Sequence, residues 1–278
     1  MASGLTQDRI DAYNRDGFVF PVPLLSATEA ADYRRRFETY EAAAGAWYPS
    51  IKGQKIYLLQ TWAAELASHP RLLDAVESLI GPNILIWGCS LFIKESGDTT
   101  YVSWHQDSTY WGVSETDVLS GWIALSPATR ESGCMKMIPG SQTWDQAPHI
   151  DTLDKDNLLT RGQEIAIDVD ESGAAFLEMQ PGEASLHNVR TNHGSSPNPA
   201  DDRRIALAIR YVGPHVRQVK AERNSAWLIR GEDTYGHFIH ETPPKADMDP
   251  AAVAEHARIM ELRQDVLYDG VEGKPAHV

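Results

Sequence analysis

Between Ile84 and Val212 the apolar residues stop recurring at helical spacing and come instead in short runs, which limits the possible folds more than any other feature of the chain. The runs are Ile84–Ile93, Tyr101–Asp107, Leu119–Leu125, Cys134–Ile138, Ile165–Val169, Ala174–Met179, Ala184–Val189 and Arg204–Val212. Turn residues separate them, notably Gly97-Asp98, Pro139-Gly140, Pro181-Gly182 and Pro197-Asn198-Pro199. With no helix between strands, an antiparallel sandwich or barrel is expected rather than βαβ units. Helices belong to the flanks. Thr6 to Asp16 has helix composition and stops at Gly17 before the strand Phe18-Val19-Phe20. Ser26-Ala27-Thr28-Glu29 is a capping box opening a helix to about Ala44, and Pro70 to Ile80 ends at Gly81-Pro82. A last helix is expected from Pro250 to Leu267. The fold class is therefore mainly β with flanking α-helices. One domain over residues 1–278 is expected: a helical part at about 1–82, a β core at about 83–215 and a C-terminal helix at about 249–267. No internal repeat, low-complexity tract or linker divides it.

Composition narrows the partners. Twenty-five Lys and Arg against 39 Asp and Glu give a net charge of −14, which argues against nucleic acid and anionic membrane. No run is apolar for long enough to span a bilayer, and Met1 to Asp16 lacks the apolar stretch of a signal peptide. Two cysteines, Cys89 and Cys134, exclude a disulfide framework, so a cytoplasmic location is expected.

The chemistry concentrates in His105-Gln106-Asp107. Residues two apart on a strand point the same way, so His105 and Asp107 are expected on one face and Gln106 on the other. With one more imidazole they would hold one face of an octahedral metal and leave the opposite face open, the arrangement of non-haem Fe(II) oxygenases. The triplet alone is weak evidence, because His149-Ile150-Asp151 repeats it. The first copy lies among Tyr101, Trp104, Tyr110 and Trp111, a setting suited to a dry pocket; the second follows Pro148 in a polar stretch, Ser141 to Gly162, and reads as solvated. That stretch is either a lid or a surface excursion.

His187 and His193 are the candidates for the third ligand; either could instead be a histidine satisfied by a backbone carbonyl. His193 is preferred because Arg204 opens the next strand beyond the Pro197-Asn198-Pro199 turn. If those strands pair across the turn, a guanidinium would sit deeper in the cavity. Along that strand Ile205, Leu207, Ile209 and Tyr211 form a packing face, whereas Arg204, Ala206, Ala208 and Arg210 form the other. Two arginines spaced by two alanines read as a barrel lining: alanine leaves room and arginine grips a carboxylate with its planar fork. An exposed edge-strand face is the plainer alternative. Arg210, Tyr110, Trp111 and Asn192 are the candidates for substrate contact, each equally able to be a packing or ion-pair residue.

Taken in order, Asp16-Gly17-Phe18-Val19, His105-Gln106-Asp107, Trp122-Ile123-Ala124-Leu125, Gly133-Cys134-Met135, Ile138-Pro139-Gly140-Ser141, His193-Gly194-Ser195 and Arg204 resemble the phytanoyl-CoA dioxygenase family over roughly Asp16 to Val212. The resemblance implies a double-stranded β-helix (a cupin-like jelly roll) working with Fe(II), 2-oxoglutarate and O₂ on a small-molecule substrate, with release of succinate and CO₂. It implies His105, Asp107 and His193 as metal ligands, and Arg204 with Ser195 at the distal carboxylate of 2-oxoglutarate. It also implies Trp122 as a wall of the co-substrate pocket. Related halogenases carry a small residue in place of the carboxylate ligand; Asp107 is present here, so hydroxylation or another oxidation is expected. No basic patch suggests coenzyme A. The competing expectations are a non-catalytic jelly roll that binds a metal or small anion, and a zinc-dependent hydrolase.

Overall fold

The computed structural model of the chain describes residues 4–45, 53–114, 117–159, 161–221 and 224–267. Helix α1 (Gln7–Asp16) ends on Gly17, whose φ of 84° lies in the left-handed region and whose N–H donates to the carbonyl of Tyr13. A Cβ at Gly17 would lie 2.5 Å from Gln142 Oε1 and 2.6 Å from Thr191 Oγ1, so only glycine serves here. Strand β1 (Phe18–Pro23) follows. The capping box of Ser26 and Glu29 is formed and starts α2 (Ala27–Ala44). Two further helices, α3 (Thr61–Ala67) and α4 (Pro70–Ile80), precede the β core. The sequence pattern foresaw α4 and left α3 unread.

The core strands are β2 (Ile84–Lys94), β3 (Val102–His105), β4 (Val118–Ala124), β5 (Met135–Met137), β6 (His149–Asp151), β7 (Gln163–Ile165), β8 (Ala175–Phe176), β9 (Glu183–Asn188), β10 (His193–Ser195) and β11 (Arg204–Val212). Two more strands, β12 (Ser225–Arg230) and β13 (Ile239–His240), extend one edge. One helical turn, α5 (Ser108–Trp111), and the last helix, α6 (Pro250–Leu267), complete the elements used below. Strand order in the large sheet is β1-β9-β4-β11-β2-β12-β13, and in the small sheet β3-β10-β5-β8. Leaving out the additions, β9, β4, β11 and β2 face β3, β10, β5 and β8, and the chain passes repeatedly from one sheet to the other. That is a jelly roll with four strands in each sheet, as expected.

The alternation along β11 decides where things pack. Ile205, Leu207, Ile209 and Tyr211 are buried against α3, α4 and the rest of the helical layer, with Tyr211 Oη donating to the carbonyl of Ala67 at 2.8 Å. Ala206 and Ala208 join Trp122, Met135 and Met137 in a second core between the sheets. The same strand thus supports the scaffold with one face and floors a cavity with the other. Both cysteines are buried and free, and no helix among the described residues is long and apolar enough to cross a membrane.

Several strand bounds differ from expectation. The Tyr101–Asp107 run ends as strand at His105, the Ile165–Val169 run gives way to the earlier β7, and Ala174–Met179 keeps only the two-residue strand Ala175–Phe176 and a single bridge from Met179 to Ala128. Ser141 to Gly162 is not an irregular excursion: β6 pairs with β7, and Asn157 Nδ2 donates to Ser103 Oγ at 2.8 Å, tying the segment to β3.

Behind the sheet lies a buried ion pair, Lys55 with Glu241; both side chains are 0% exposed, and Tyr57 Oη donates to the same carboxylate at 2.6 Å. Breaking a buried pair leaves an uncompensated charge, so Glu241→Ala is expected to lower unfolding free energy by about 3–5 kcal/mol. Urea unfolding monitored by circular dichroism reads that loss.

Candidate active site

Strand pairing brings the two imidazoles together. His193 on β10 is directly opposite His105 on β3, and their ring centroids are 4.1 Å apart. Asp107 follows β3 at a turn, with helical backbone angles (φ −59°, ψ −35°) at the cap of α5. The expectation that His105 and Asp107 converge because both lie on a strand is thus corrected: the chain bends after His105, and the bend swings the carboxylate back. Asp107 Oδ1 lies 3.5 Å from His105 Nε2, and one ligand atom from each of His105, Asp107 and His193 falls within 4.8 Å of the others.

Each ring is fixed by its other nitrogen. His105 Nδ1 is 2.9 Å from the carbonyl of Ser103, and His193 Nδ1 is 2.9 Å from that of Thr191. A carbonyl only accepts, so both Nδ1 atoms carry hydrogen and both Nε2 lone pairs are free for a metal. Burial, then the neighbouring His105 ring, holds His193 well below the ordinary histidine range and keeps it a neutral donor. Burial opposes the charge on Asp107, but the adjoining His105 and His193 rings and the Arg210 guanidinium outweigh it. Its carboxyl therefore lies well below the usual range and is ionised. Two neutral imidazoles and one carboxylate on one side of an open space fit a divalent ion.

The cavity beside these groups is lined by Trp122, Ser195, Arg204, Ala208 and Arg210, so five expected lining residues converge on it. Arg204 is 1% exposed, and burial pushes its guanidinium down to about 10. Its Nη1 donates to the carbonyl of Gly133 at 2.8 Å, whereas Nε and Nη2 have no partner. Its guanidinium lies 5.4 Å from the ring centroid of Trp122. Orphaned buried donors cost about 1–3 kcal/mol each, so this is a socket for an anion. The route to Arg204 is not the one expected, however. β10 pairs with β3 and β5, and β11 with β2 and β4, so His193 and Arg204 sit on opposite sheets. The intervening turn crosses between sheets, held by Asn198 Nδ2 donating to the carbonyls of Lys94, Glu95 and Asp202.

Lys94 was missed. It pairs with Arg204 across β2 and β11 and is 0% exposed; Nζ donates to Ser195 Oγ at 2.7 Å and to the carbonyl of Ser196. Burial, then the neighbouring charge of Arg204, lowers its ammonium to about 6. The strand parity that groups Ser90, Phe92 and Lys94 was the available signal. The other third-ligand candidate, His187, lines the same cavity on β9, its ring 4.9 Å from His193, but stands outside the three-residue cluster. Three proposed substrate contacts do not line the cavity. Trp111 lies 5.3 Å from the Arg210 guanidinium, Tyr110 turns toward His149 and Arg161, and Asn192 is fully buried with an unpartnered side-chain amide.

In the second His-x-Asp copy Ile150 and Asp151 are exposed as expected, but His149 is not free in solvent. His149 is half-buried; its Nε2 accepts from the N–H of Gln106 at 3.0 Å, the peptide between the two ligands of the first copy. The Gln106 side chain, 0% exposed, accepts from Gln146 Nε2 and Ala147 N and donates to the carbonyl of Arg190. The residue between the ligands thus clasps the 146–149 segment and the turn before β10.

A jelly roll presenting two imidazoles and a carboxylate beside an arginine-floored cavity has the build of the non-haem metal oxygenases. The family model described as phytanoyl-CoA dioxygenase (PhyH) matches residues 13–206, and the chain belongs to that family. Among solved structures, the non-heme monooxygenase ThoJ in its apo form is 35% identical, with 94% of this chain and 97% of that chain aligned at a TM-score of 0.85. CytC3 with Fe(II) and alpha-ketoglutarate shares the fold at 24% identity and a TM-score of 0.67, over 89% of this chain and 97% of that chain. A probable alpha-ketoglutarate-dependent hypophosphite dioxygenase of Stutzerimonas stutzeri is 27% identical over 62% of this chain and 57% of its own length. The chain spans about half the length of the curated relatives it matches.

Proposed function

We propose that this protein is an Fe(II)- and 2-oxoglutarate-dependent oxygenase that hydroxylates, or otherwise oxidises, a small molecule. The observation that carries the reading is the His105–Asp107–His193 cluster beside an Arg204 that lines the same cavity with its buried Nε and Nη2 unpartnered. His105, Asp107 and His193 would hold the iron; Arg204, with Ser195, would take the distal carboxylate of 2-oxoglutarate, and Trp122 would wall it in. Iron so held supplies O₂ activation coupled to decarboxylation of the 2-oxoglutarate, giving succinate, CO₂ and an oxidised substrate.

The residues do the rest. Ser103 and Thr191 carbonyls fix the two ring tautomers, Ala206 and Ala208 leave volume for the co-substrate, and the Gln106–His149 clasp holds the ligand-bearing turn. His149→Phe keeps an aromatic ring beside Tyr110 but removes the acceptor. It is expected to weaken metal retention by roughly tenfold, as loss of an outer hydrogen-bond partner typically does. A competition titration against a chelating dye measures this.

Lys94 sets a proton signature. With its ammonium lowered to about 6, it is mostly neutral at neutral pH before co-substrate binds. A carboxylate nearby favours the charged form, so binding of 2-oxoglutarate takes up a proton at neutral pH. Below about 6 Lys94 already holds that proton and the uptake disappears. Calorimetry of 2-oxoglutarate binding in buffers of different ionisation enthalpy reads the uptake directly, and an uptake unchanged in Lys94→Met would refute the assignment.

The function itself is tested by succinate release. Purified protein with Fe(II) and 2-oxoglutarate is expected to form succinate in air and none under argon, even without a substrate. Turnover without O₂ would point to hydrolysis, and binding without turnover to a non-catalytic jelly roll.

A further inference from the structure

At the end of β11 away from Arg204, the cavity carries a second polar row for which the co-substrate reading has no use. Arg210 is paired with Ser120 on β4, and Ser120 with His187 on β9, so the three stand abreast across neighbouring strands. All three line the cavity that holds the metal-ligand cluster. Six residues of strand, about 20 Å at strand rise, separate the α-carbons of Arg204 and Arg210.

Each member of the row is under-satisfied. Ser90 Oγ, at 2.8 Å from Nη1, is the one hydrogen-bond acceptor that Arg210 has among the described residues. Its guanidinium lies 5.3 Å from the Trp111 ring centroid and has no salt bridge among those residues. Ser120 is 3% exposed and its hydroxyl makes no hydrogen bond among the described residues. His187 is 2% exposed, and its Nδ1 is buried without a partner. A packing role would be served by an arginine whose donors are all paired; here only Nη1 is paired, and the remaining donors have no partner among the described residues.

The charges point the same way. Among the lining residues Asp107 brings one negative charge, and Arg204 and Arg210 one positive charge each. A divalent metal adds two positive charges and the 2-oxoglutarate dianion removes two. One positive charge is then left over in a closed space, and Lys94 adds to the surplus when protonated. Arg204 is matched by the co-substrate, so the surplus falls on Arg210. An unpaired charge in such a cavity is costly unless the remaining ligand neutralises it.

We propose that Arg210, Ser120 and His187 form the acid pocket for the molecule that is oxidised: the substrate carries a carboxylate, which docks on the open edge of the Arg210 guanidinium between the serine hydroxyl and the imidazole. This inference rests on the oxygenase reading above and adds to it the chemical class of the substrate and the end by which it is held.

The test needs no knowledge of the natural substrate. The full chain, loaded anaerobically with Fe(II) and 2-oxoglutarate, is titrated with matched probes, hexanoate against hexanamide and benzoate against benzamide. The visible charge-transfer band and the tryptophan fluorescence are recorded. The acids are expected to bind saturably and the amides not. Arg210→Gln is expected to weaken acid binding by roughly tenfold to a hundredfold while leaving 2-oxoglutarate affinity within about threefold. Arg204→Gln is expected to do the reverse, and Arg210→Lys to keep the preference for acids over amides. Equal binding of acids and amides, or no acid binding by the loaded wild-type protein, would overturn the pocket. So would a loss of 2-oxoglutarate affinity in Arg210→Gln as large as in Arg204→Gln, which would assign Arg210 to the co-substrate. Absence of the charge-transfer band in the wild type would instead overturn the oxygenase reading, so the two failures are told apart.

Discussion

Asp107→Ala is expected to abolish succinate formation and to lower Fe(II) affinity by more than the 10–100-fold that loss of an outer-sphere partner typically brings. Asp107 supplies the only anionic donor of the cluster, and it is ionised because its neighbours make it so. Without it two neutral imidazoles remain, and most of the electrostatic attraction for a divalent ion is gone. The assay belongs in chloride-free buffer, because a small residue at this position leaves room for an exogenous anion to replace the lost carboxylate. Succinate release at the wild-type rate would remove Asp107 from the ligand set. The fold is expected to survive, since Asp107 sits at a cavity wall and the cores on either side of the large sheet do not use it.

Arg204→Ala is expected to raise the apparent KM for 2-oxoglutarate by roughly tenfold to a hundredfold or more. A charge-assisted hydrogen bond to a desolvated carboxylate contributes about 1.5–3 kcal/mol, and about 1.4 kcal/mol is a factor of ten. Lys94 and Ser195 remain, so weakened binding rather than complete loss is expected. The turnover number at saturating co-substrate should fall much less than the ratio of turnover number to KM. An unchanged KM would mean that the open Nε and Nη2 of Arg204 serve some other ligand.

How far the sequence could be read depended on whether the information was local. The parity of β11 was fully local: Ile205, Leu207, Ile209 and Tyr211 against Arg204, Ala206 and Ala208 divided scaffold from cavity, and the two cores divide at the same residues. The ligand residues were recognisable, but the way they meet was not. Asp107 reaches the site through a turn into α5, and a single residue in helical backbone angles leaves no periodic trace. His193 and Arg204 lie on opposite sheets because the turn between them crosses over, whereas a proline-rich turn suggests a hairpin on sequence alone. His149 was misjudged for a related reason. Its surroundings are polar, and its partner, the N–H of Gln106, is 43 residues away. Lys94 shows the limit of residue type as a guide, because a lysine at a strand end reads as solvent-facing until the pairing with Arg204 is known.

The most direct test of the central geometry is anomalous diffraction from crystals grown with Fe(II) and 2-oxoglutarate under argon. The expected map has one iron peak bonded to His105 Nε2, a carboxylate oxygen of Asp107 and His193 Nε2, with the far carboxylate of 2-oxoglutarate on Arg204. An iron peak at His187 or His149, or 2-oxoglutarate bound without contact to Arg204, would contradict it.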